Sequence, residues 1–274
     1  LKTKNIVSKM PKATVEFDIS SHAVLGLSQT IGKQFYMEDA VCAARNIIDH
    51  AILVGLFDGN GTGAVAKMCS SRFTEYFLTH IKGRFIDTTI VEDSIVATYK
   101  KLAAKAKETE CRGCASALVY IVYKNRVTVA NAGTSRAILV KRNKVVQLSN
   151  DHVPEDPSIL SSLKSKGGYI APNGLINGVM VSTRSISDLE YPFMSNEPEV
   201  STTNLSEDDV CIVSASACVW KVLTNENVAE MVRETIHLSA ESIACRIKDQ
   251  AMMCGCSDNI TVTVVAIPPS TAPF

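Results

Sequence analysis

The sequence has little that would attract nucleic acid or a membrane. Its 28 Lys and Arg residues equal its 28 Asp and Glu residues, so the formal net charge at pH 7 is zero. Without a basic excess, no long-range field draws nucleic acid or an anionic lipid surface. No apolar run approaches the roughly 20 residues of a membrane span, and the first residues lack a signal-peptide profile. We therefore expect a cytoplasmic protein with protein partners, no nucleic acid and no membrane.

The sequence also lacks the clustered, even set of cysteines that marks a small secreted protein. Its nine Cys are an odd number and are scattered, which favours reduced thiols in a reducing compartment. Two close pairs would suit a zinc ion only if they met in space, and a C-x-C half is unusual for zinc. We expect the following four to be unbridged and metal-free: Cys111, Cys114, Cys254 and Cys256.

No internal repeat or low-complexity segment divides the 274 residues, so the chain is interpreted as one continuous domain. Its hydrophobic fraction of 46% is enough for a large core. The expected organisation is an extension at 1–20, the domain at 21–268 and a tail at 269–274. Because the chain starts at Leu1 without Met, further domains of a longer parent chain are candidate partners.

Strand-like and helix-like segments fall into separate blocks along the chain. The apolar run Ala51–Phe57 predicts a buried strand, followed by a glycine-rich turn. Further predicted strands are Ala115–Val122, Arg126–Asn131, Ser135–Lys141, Val210–Ser214 and Ile260–Ile267. Predicted helices are Ala64–Thr79, Val91–Lys107, Asn225–His237 and Ala240–Met253. The three strands from Ala115 to Lys141 are predicted to form an antiparallel meander. This grouping indicates an α+β fold in which helices cover two antiparallel sheets.

Five segments with recognisable short motifs follow one another between Met37 and Asn259. They are Met37-Glu-Asp-Ala40, then Phe57-Asp-Gly-Asn-Gly61, then Asn131–Ala137 with Leu148–Pro154, then Gly167-Gly168 with Ser182–Asp188, and finally Ile212–Trp220 with Ser257-Asp-Asn259. Each motif alone is weak, but their order over nearly the whole chain is specific. The sequence resembles the metal-dependent type 2C protein serine/threonine phosphatases. The resemblance implies a β-sandwich of two antiparallel sheets flanked on both faces by helices, with a metal cleft at one end.

The resemblance also implies a set of metal-binding residues. In that family two Mg²⁺ or Mn²⁺ ions activate a water that attacks phosphoserine or phosphothreonine. Asp58 holds the position of the bridging carboxylate, and Gly59 that of a carbonyl ligand. Asp258 matches the terminal carboxylate, while Glu38 and Asp39 match an acidic pair that holds metal-bound waters. Oxygen ligands of this kind are what such hard cations require.

Four positions depart from the family pattern at the site itself. Ala217 stands where the family has a second metal-binding Asp, and Thr134 where it has the Asp of a third, weaker metal. Asn60 replaces a His that is a candidate general acid, and Asn cannot donate a proton in that role. Gln34 stands where a phosphate-binding Arg is expected, and the adjacent Lys33 is a weak candidate substitute.

Smaller departures lie on the same segment as Ala217. Cys218 replaces a glycine, and Lys221 follows the tryptophan where the family often has Asp. The residues that support the fold are kept, and among them we expect His152 to support a loop and Arg184 to pair with Asp188.

The departures point to a pseudophosphatase that binds at most one Mg²⁺ or Mn²⁺ ion well and acts through a protein or phosphoprotein partner. The alternative is an active but attenuated metal-dependent Ser/Thr phosphatase, in which one well-held ion sustains slow hydrolysis. Turnover in the presence of Mn²⁺ or Mg²⁺ distinguishes the two.

Overall fold

The computed structural model describes residues 19–84, 86–154, 157–178, 182–187 and 194–267. The predicted tail at 269–274 and all but the end of the predicted extension at 1–20 lie outside these residues. The helices are α1 Ile19–His22, α2 Ala64–Ile81, α3 Thr88–Glu108, α4 Pro157–Ser165, α5 Ala217–Val222, α6 Asn225–Glu234 and α7 Ala240–Met253. The strands are β1 Val24–Thr30, β2 Ala40–Arg45, β3 Ile52–Asn60, β4 Cys114–Tyr123, β5 Arg126–Ala132, β6 Arg136–Lys141, β7 Val145–Gln147, β8 Ile186–Ser187, β9 Glu199–Asn204, β10 Asp209–Ala215 and β11 Ile260–Ala266.

The strands form two sheets. One has the order β1-β11-β10-β6-β7, and the other has the order β2-β3-β4-β5-β9, with the short β8 paired to β4. Strand pairing within both sheets is antiparallel throughout the described residues. The predicted fold class, two antiparallel sheets in an α+β protein, is confirmed.

The predicted three-stranded meander is wrong in its last strand. β4 and β5 form the expected hairpin, but β6 crosses to the other sheet and pairs with β10 and β7. The edge of β5 that β6 was expected to occupy pairs instead with β9. β5 and β6 are both almost wholly buried, and a strand with two apolar faces is compatible with either sheet.

Three apolar layers hold the domain together. Residues such as Leu118 and Tyr120 from one sheet meet Leu139, Ile212 and Val265 from the other between the sheets. A second layer joins α2 and α3 to the β2–β5 sheet, and a third joins α5, α6 and α7 to the other sheet. Helices therefore cover both outer faces of the sandwich.

None of the helices in the described part of the chain has both the length and the apolar character that a bilayer crossing demands.

Candidate metal site

One cavity of about 100 Å³ brings together segments that are far apart in sequence. The lining residues within helices and strands are Asp58, Gly59 and Asn60 at the end of β3, Cys114 and Ser116 of β4, and Ala217 and Lys221 of α5. The lining residues from loops are Thr134, Ser182, Ser185 and Asp258, the last of which precedes β11. Three of the five predicted metal-site residues and three of the four altered positions thus share one cavity. Segments that lie far apart in the sequence therefore meet at this cavity, whereas Glu38 and Asp39 are not among the residues that line it.

Asp58 lies where the apolar run of β3 meets the cavity. The strand is buried from Ile52 to Phe57, so the first polar side chain after it emerges at the end of the sheet. The Asp58 Oδ2 atom accepts a hydrogen bond of 3.0 Å from the backbone N–H of Ala217. The carboxylate therefore bonds to the backbone at the very position where the family places a second carboxylate.

Gly59 allows a close approach between the end of β3 and the loop that precedes β2. A Cβ atom at this position would lie 2.4 Å from the carbonyl oxygen of Glu38, a distance that real Cβ contacts do not show. The glycine lets the Glu38 segment pack directly against the end of β3. The expected carbonyl ligand at Gly59 is thus held beside the expected acidic pair.

Glu38 and Asp39 flank the cavity but are not among the residues that line it. The Glu38 Oε2 atom accepts a 3.1 Å hydrogen bond from the Gly61 N–H. Asp39 is buried, and its Oδ2 atom accepts a 2.7 Å hydrogen bond from the Thr261 hydroxyl. Both carboxylates are oriented by specific donors, which suits the water-holding role that the resemblance implies.

The loop that carries Asp258 is held in place by its neighbour Asn259. The Asn259 Oδ1 atom accepts a hydrogen bond of 2.6 Å from the Glu38 N–H. Its Nδ2 group donates to the carbonyls of Ile31 and Tyr36 at 2.9 and 3.1 Å. The buried amide thus joins the start of β11 to the loop before β2, a role that the sequence motif did not reveal.

The electrostatics of the site are those of crowded carboxylates. Burial, reinforced by the charge of Asp58, raises the pKa of Asp39 to about 8. Burial also raises the pKa of Asp58 to about 6; the Ala217 N–H and Lys221 act in the opposite direction, while Asp258 raises it further. Without a cation, the charged forms of these carboxyl groups therefore destabilise the folded protein, and a bound cation would offset that free-energy cost.

Replacement of Asp39 by Asn is expected to stabilise the metal-free protein, and more strongly at high pH. The folded-state pKa of about 8 lies above the ordinary value of 3.8. The penalty for keeping this carboxyl in the folded protein therefore grows as the pH rises from 3.8 towards 8. Asn keeps an acceptor for Thr261 and removes the penalty. At pH 8 we expect a gain of at least about 2 kcal/mol, and little at pH 4.

Urea unfolding in EDTA at several pH values measures this effect. The matched control is Asp93→Asn on α3, because Asp93 is exposed and its replacement should leave the pH dependence unchanged. Equal gains from Asp39→Asn at pH 4 and pH 8 would contradict the expectation.

The altered positions Asn60, Thr134 and Ala217 line the cavity, but the fourth altered position, Gln34, and its candidate substitute Lys33 do not. Gln34 and Lys33 are exposed on the loop before β2, and neither is among the cavity-lining residues. The Lys33 N–H donates to the Ser257 carbonyl at 3.0 Å, so the backbone of this loop contacts the segment that precedes Asp258. A phosphate-binding role for Lys33 stays a prediction.

Other motif residues support the loops around the site. Arg136 makes a two-pronged ion pair with Asp151, with distances of 3.0 and 2.6 Å. His152 is buried, and its Nδ1 atom accepts a 3.1 Å hydrogen bond from the Gly133 N–H, which confirms its supporting role. Arg184 donates to the carbonyl of Glu197 at 3.1 Å, and Asp188, its expected partner, lies outside the described residues.

The expectation that Cys256 is unbridged is wrong. Cys256 forms a disulfide with Cys218, 38 residues away, and this bridge ties the first turn of α5 to the loop that carries Asp258. Their Cα atoms are 5.8 Å apart, within the usual range for a disulfide. Of the other three cysteines considered, Cys111 and Cys254 are free thiols, and Cys114 takes no part in this disulfide. That those three hold no metal stays a prediction.

The described residues do not bring three side chains together as a metal site. No group of three or more His, Cys, Asp or Glu side chains within them is arranged to hold one ion. At the cavity, Asp58 and Asp258 are the lining carboxylates. A divalent ion here would depend on these two, on backbone carbonyls such as that of Gly59, and on water.

Comparisons with known proteins agree with the motifs. A sequence profile described as Protein phosphatase 2C matches residues 23–260. Probable protein phosphatase 2C 49 of Oryza sativa subsp. japonica is 31% identical over 258 residues, which cover 81% of this chain and 62% of the rice protein. Probable protein phosphatase 2C 9 of the same species is 29% identical over 77% of this chain and 58% of its own length. The chain thus spans about six tenths of these two rice relatives.

Solved structures show the same fold at low sequence identity. A protein described as a C. elegans sex determining protein superposes with a TM-score of 0.82 at 21% identity, covering 90% of this chain and 65% of that one. The serine-threonine phosphatase 2C from Toxoplasma gondii gives a TM-score of 0.76 at 16% identity, with 89% and 94% covered. The profile match extends over most of the chain, and the architecture is the one that these relatives adopt. The chain belongs to the protein phosphatase 2C family.

Proposed function

We propose that this chain is a pseudophosphatase domain, which keeps the family scaffold and acts by binding or regulating a protein rather than by rapid dephosphorylation. The observation that carries the proposal is Ala217. It lines the cavity beside Asp58 and Asp258, and its backbone N–H donates to Asp58. Its methyl side chain has no oxygen atom, so the carboxylate ligand that the family has at this position is missing.

The residues present fit one divalent ion better than two. Members of the family depend on Mg²⁺ or Mn²⁺, and such ions, when bound, activate a water for attack on phosphorus. Asp58 and the Gly59 carbonyl would hold one ion, and Glu38 and Asp39 would be the acidic pair that binds its waters, as the family resemblance implies. A second ion would have Asp58 and Asp258 but no third carboxylate, and waters in place of a charged ligand weaken the binding of a hard cation.

The other altered positions remove different parts of the chemistry. Asn60 lines the cavity, and its amide cannot protonate a leaving alkoxide. Gln34 is exposed on a neighbouring loop and brings no charge for a phosphate group. Losses of metal binding and of proton donation therefore fall on one cavity, and the loss of a phosphate-binding charge falls on a separate loop; together they favour the pseudophosphatase over an enzyme tuned to a new substrate.

An exposed aromatic pair supports the protein-binding half of the proposal. Phe35 and Tyr36 are 92% and 76% exposed, on the loop that Asn259 fixes beside Asp258. Large aromatic side chains are enriched where proteins contact one another, and they are costly to leave in water. A protein partner that contacts this loop would lie next to the cavity mouth.

The attenuated-enzyme alternative rests on the residues that survive. Asp58, Gly59 and Asp258 still line one cavity, so a singly loaded site with slow hydrolysis is the second candidate. It predicts weak, metal-dependent turnover that Asp58→Asn removes.

Metal titration and a phosphatase assay test the proposal. We expect calorimetry to show at most one Mn²⁺ or Mg²⁺ ion bound appreciably. Hydrolysis of p-nitrophenyl phosphate and of a phosphothreonine peptide should be at least about a thousandfold slower than for an active family member, since lost electrostatic stabilisation costs orders of magnitude in rate. Two tightly bound ions with vigorous, metal-dependent hydrolysis would contradict the proposal and favour an ordinary phosphatase.

A further inference from the structure

Lys221 shares its helix face with the altered metal-ligand position. It follows Ala217 by four residues on α5, and residues at that spacing lie on one face, one turn apart. Both side chains line the cavity together with Asp58 and Asp258. The substitution that removed a carboxylate is therefore accompanied by a basic residue directed at the same space.

Within the described part of the chain, no ion pair engages the charge of Lys221. Among the residues lining the cavity it is the single cation, facing two carboxylates, and it is exposed at the cavity mouth. Burial raises the pKa of Asp58 and the Lys221 charge opposes that rise, so the two groups are close enough to interact.

We propose that the Lys221 ammonium acts as a built-in cation of this site, which balances Asp58 and Asp258 and lowers the affinity of the cavity for divalent metal ions. This inference rests on the proposed function, in which metal binding is impaired. Its physical reason is the sign of the charges: compared with a carboxylate at 217 and an acidic residue at 221, the pair Ala217 and Lys221 makes the cavity more positive by three charges. A divalent ion feels each of these charges twice as strongly as a monovalent ion would.

Mn²⁺ affinity tests this without any turnover. Trp220 is the one tryptophan in the sequence and immediately precedes Lys221, so its fluorescence is a local probe of metal binding, alongside calorimetry. The variant is Lys221→Met, which keeps an unbranched stem and removes the charge. The charge-preserving partner is Lys221→Arg. The matched control is Lys82→Met, because Lys82 is exposed and directly follows α2. At a rise of 1.5 Å per residue, Lys82 lies about 27 Å from the start of that helix, so its charge should have little effect on the cavity.

We expect Lys221→Met to tighten Mn²⁺ binding about tenfold at low ionic strength, with a smaller gain in 0.5 M salt because screening weakens the repulsion. Lys221→Arg and Lys82→Met should leave the affinity within about twofold of the unmodified chain. An unchanged affinity in Lys221→Met, or an equal gain in Lys221→Arg, would overturn the inference. The proposed function fails separately, by two tight ions and rapid hydrolysis in the unmodified chain.

Discussion

The Ala217→Asp variant is expected to bind more Mn²⁺ than the unmodified chain and yet to recover little phosphatase activity. The new carboxylate would lie beside Asp58 and Asp258 in the same cavity, where it supplies the missing negative oxygen ligand. Metal stoichiometry should rise towards two ions. Turnover should stay low because the variant still lacks a proton donor at Asn60 and a positive charge at Gln34.

Addition of Gln34→Arg and Asn60→His to Ala217→Asp is then expected to raise the rate of phosphothreonine-peptide hydrolysis by about a hundredfold or more. The gain of the triple variant should exceed the product of the separate gains, since residues that act as a unit are not additive. The measurement is kcat with Mn²⁺, together with calorimetric stoichiometry for each variant.

The control for this series is Asp58→Asn within the triple variant, which should return hydrolysis to the level of the unmodified chain. Full activity from Ala217→Asp alone would show that metal occupancy was the sole defect. A triple variant that binds two ions and remains inactive would show that the scaffold itself no longer positions a phosphoryl group.

Replacement of Asn259 by Ala is expected to cost at least about 3 kcal/mol of unfolding free energy. The buried amide satisfies one backbone N–H, from Glu38, and two carbonyls, from Ile31 and Tyr36. Its removal leaves these three partly shielded groups without their partner, and each shielded group without a partner carries a desolvation penalty. Urea unfolding measures the loss.

The matched comparison for Asn259→Ala is Asn173→Ala. Asn173 is exposed and also makes two side-chain hydrogen bonds, to the Leu175 N–H and the Gly178 carbonyl. Because water replaces those bonds, we expect a loss below about 1 kcal/mol. Similar losses in the two variants would mean that Asn259 contributes no more than an ordinary turn residue.

The strands that periodicity predicted are the central ones. β4 is buried at nine of its ten positions, and β10 at every position, and most residues of both strands are apolar. The strands that went unpredicted include β1, β2, β7 and β9, and all four lie at the edges of the sheets. Their side chains are mostly half-buried or exposed, because an edge strand has a neighbour on one side only. Without a continuous apolar run, the local sequence carries little strand signal.

Helix boundaries followed local chemistry. α7 begins and ends at its predicted residues, and its start is marked by Ser239, whose hydroxyl accepts from the Ser242 N–H. α6 was predicted to continue to His237 and ends at Glu234. A turn from Thr235 to Leu238 follows, and it is closed by a backbone hydrogen bond of 2.8 Å. Helical periodicity in the sequence does not predict where the helix gives way to this turn.

The sequence by itself determined the family, the two-sheet architecture and the positions at which the site departs from the family pattern, because ordered motifs and apolar runs are local properties of the chain. Only the tertiary structure decided what now occupies the altered site. It placed the Ala217 N–H on Asp58 across 159 residues and joined Cys218 to Cys256. It also directed Lys221 into the cavity with Asp258. Such contacts depend on how helices and loops pack at the end of the sandwich. The spacing of residues along the chain does not predict which of these distant residues come into contact.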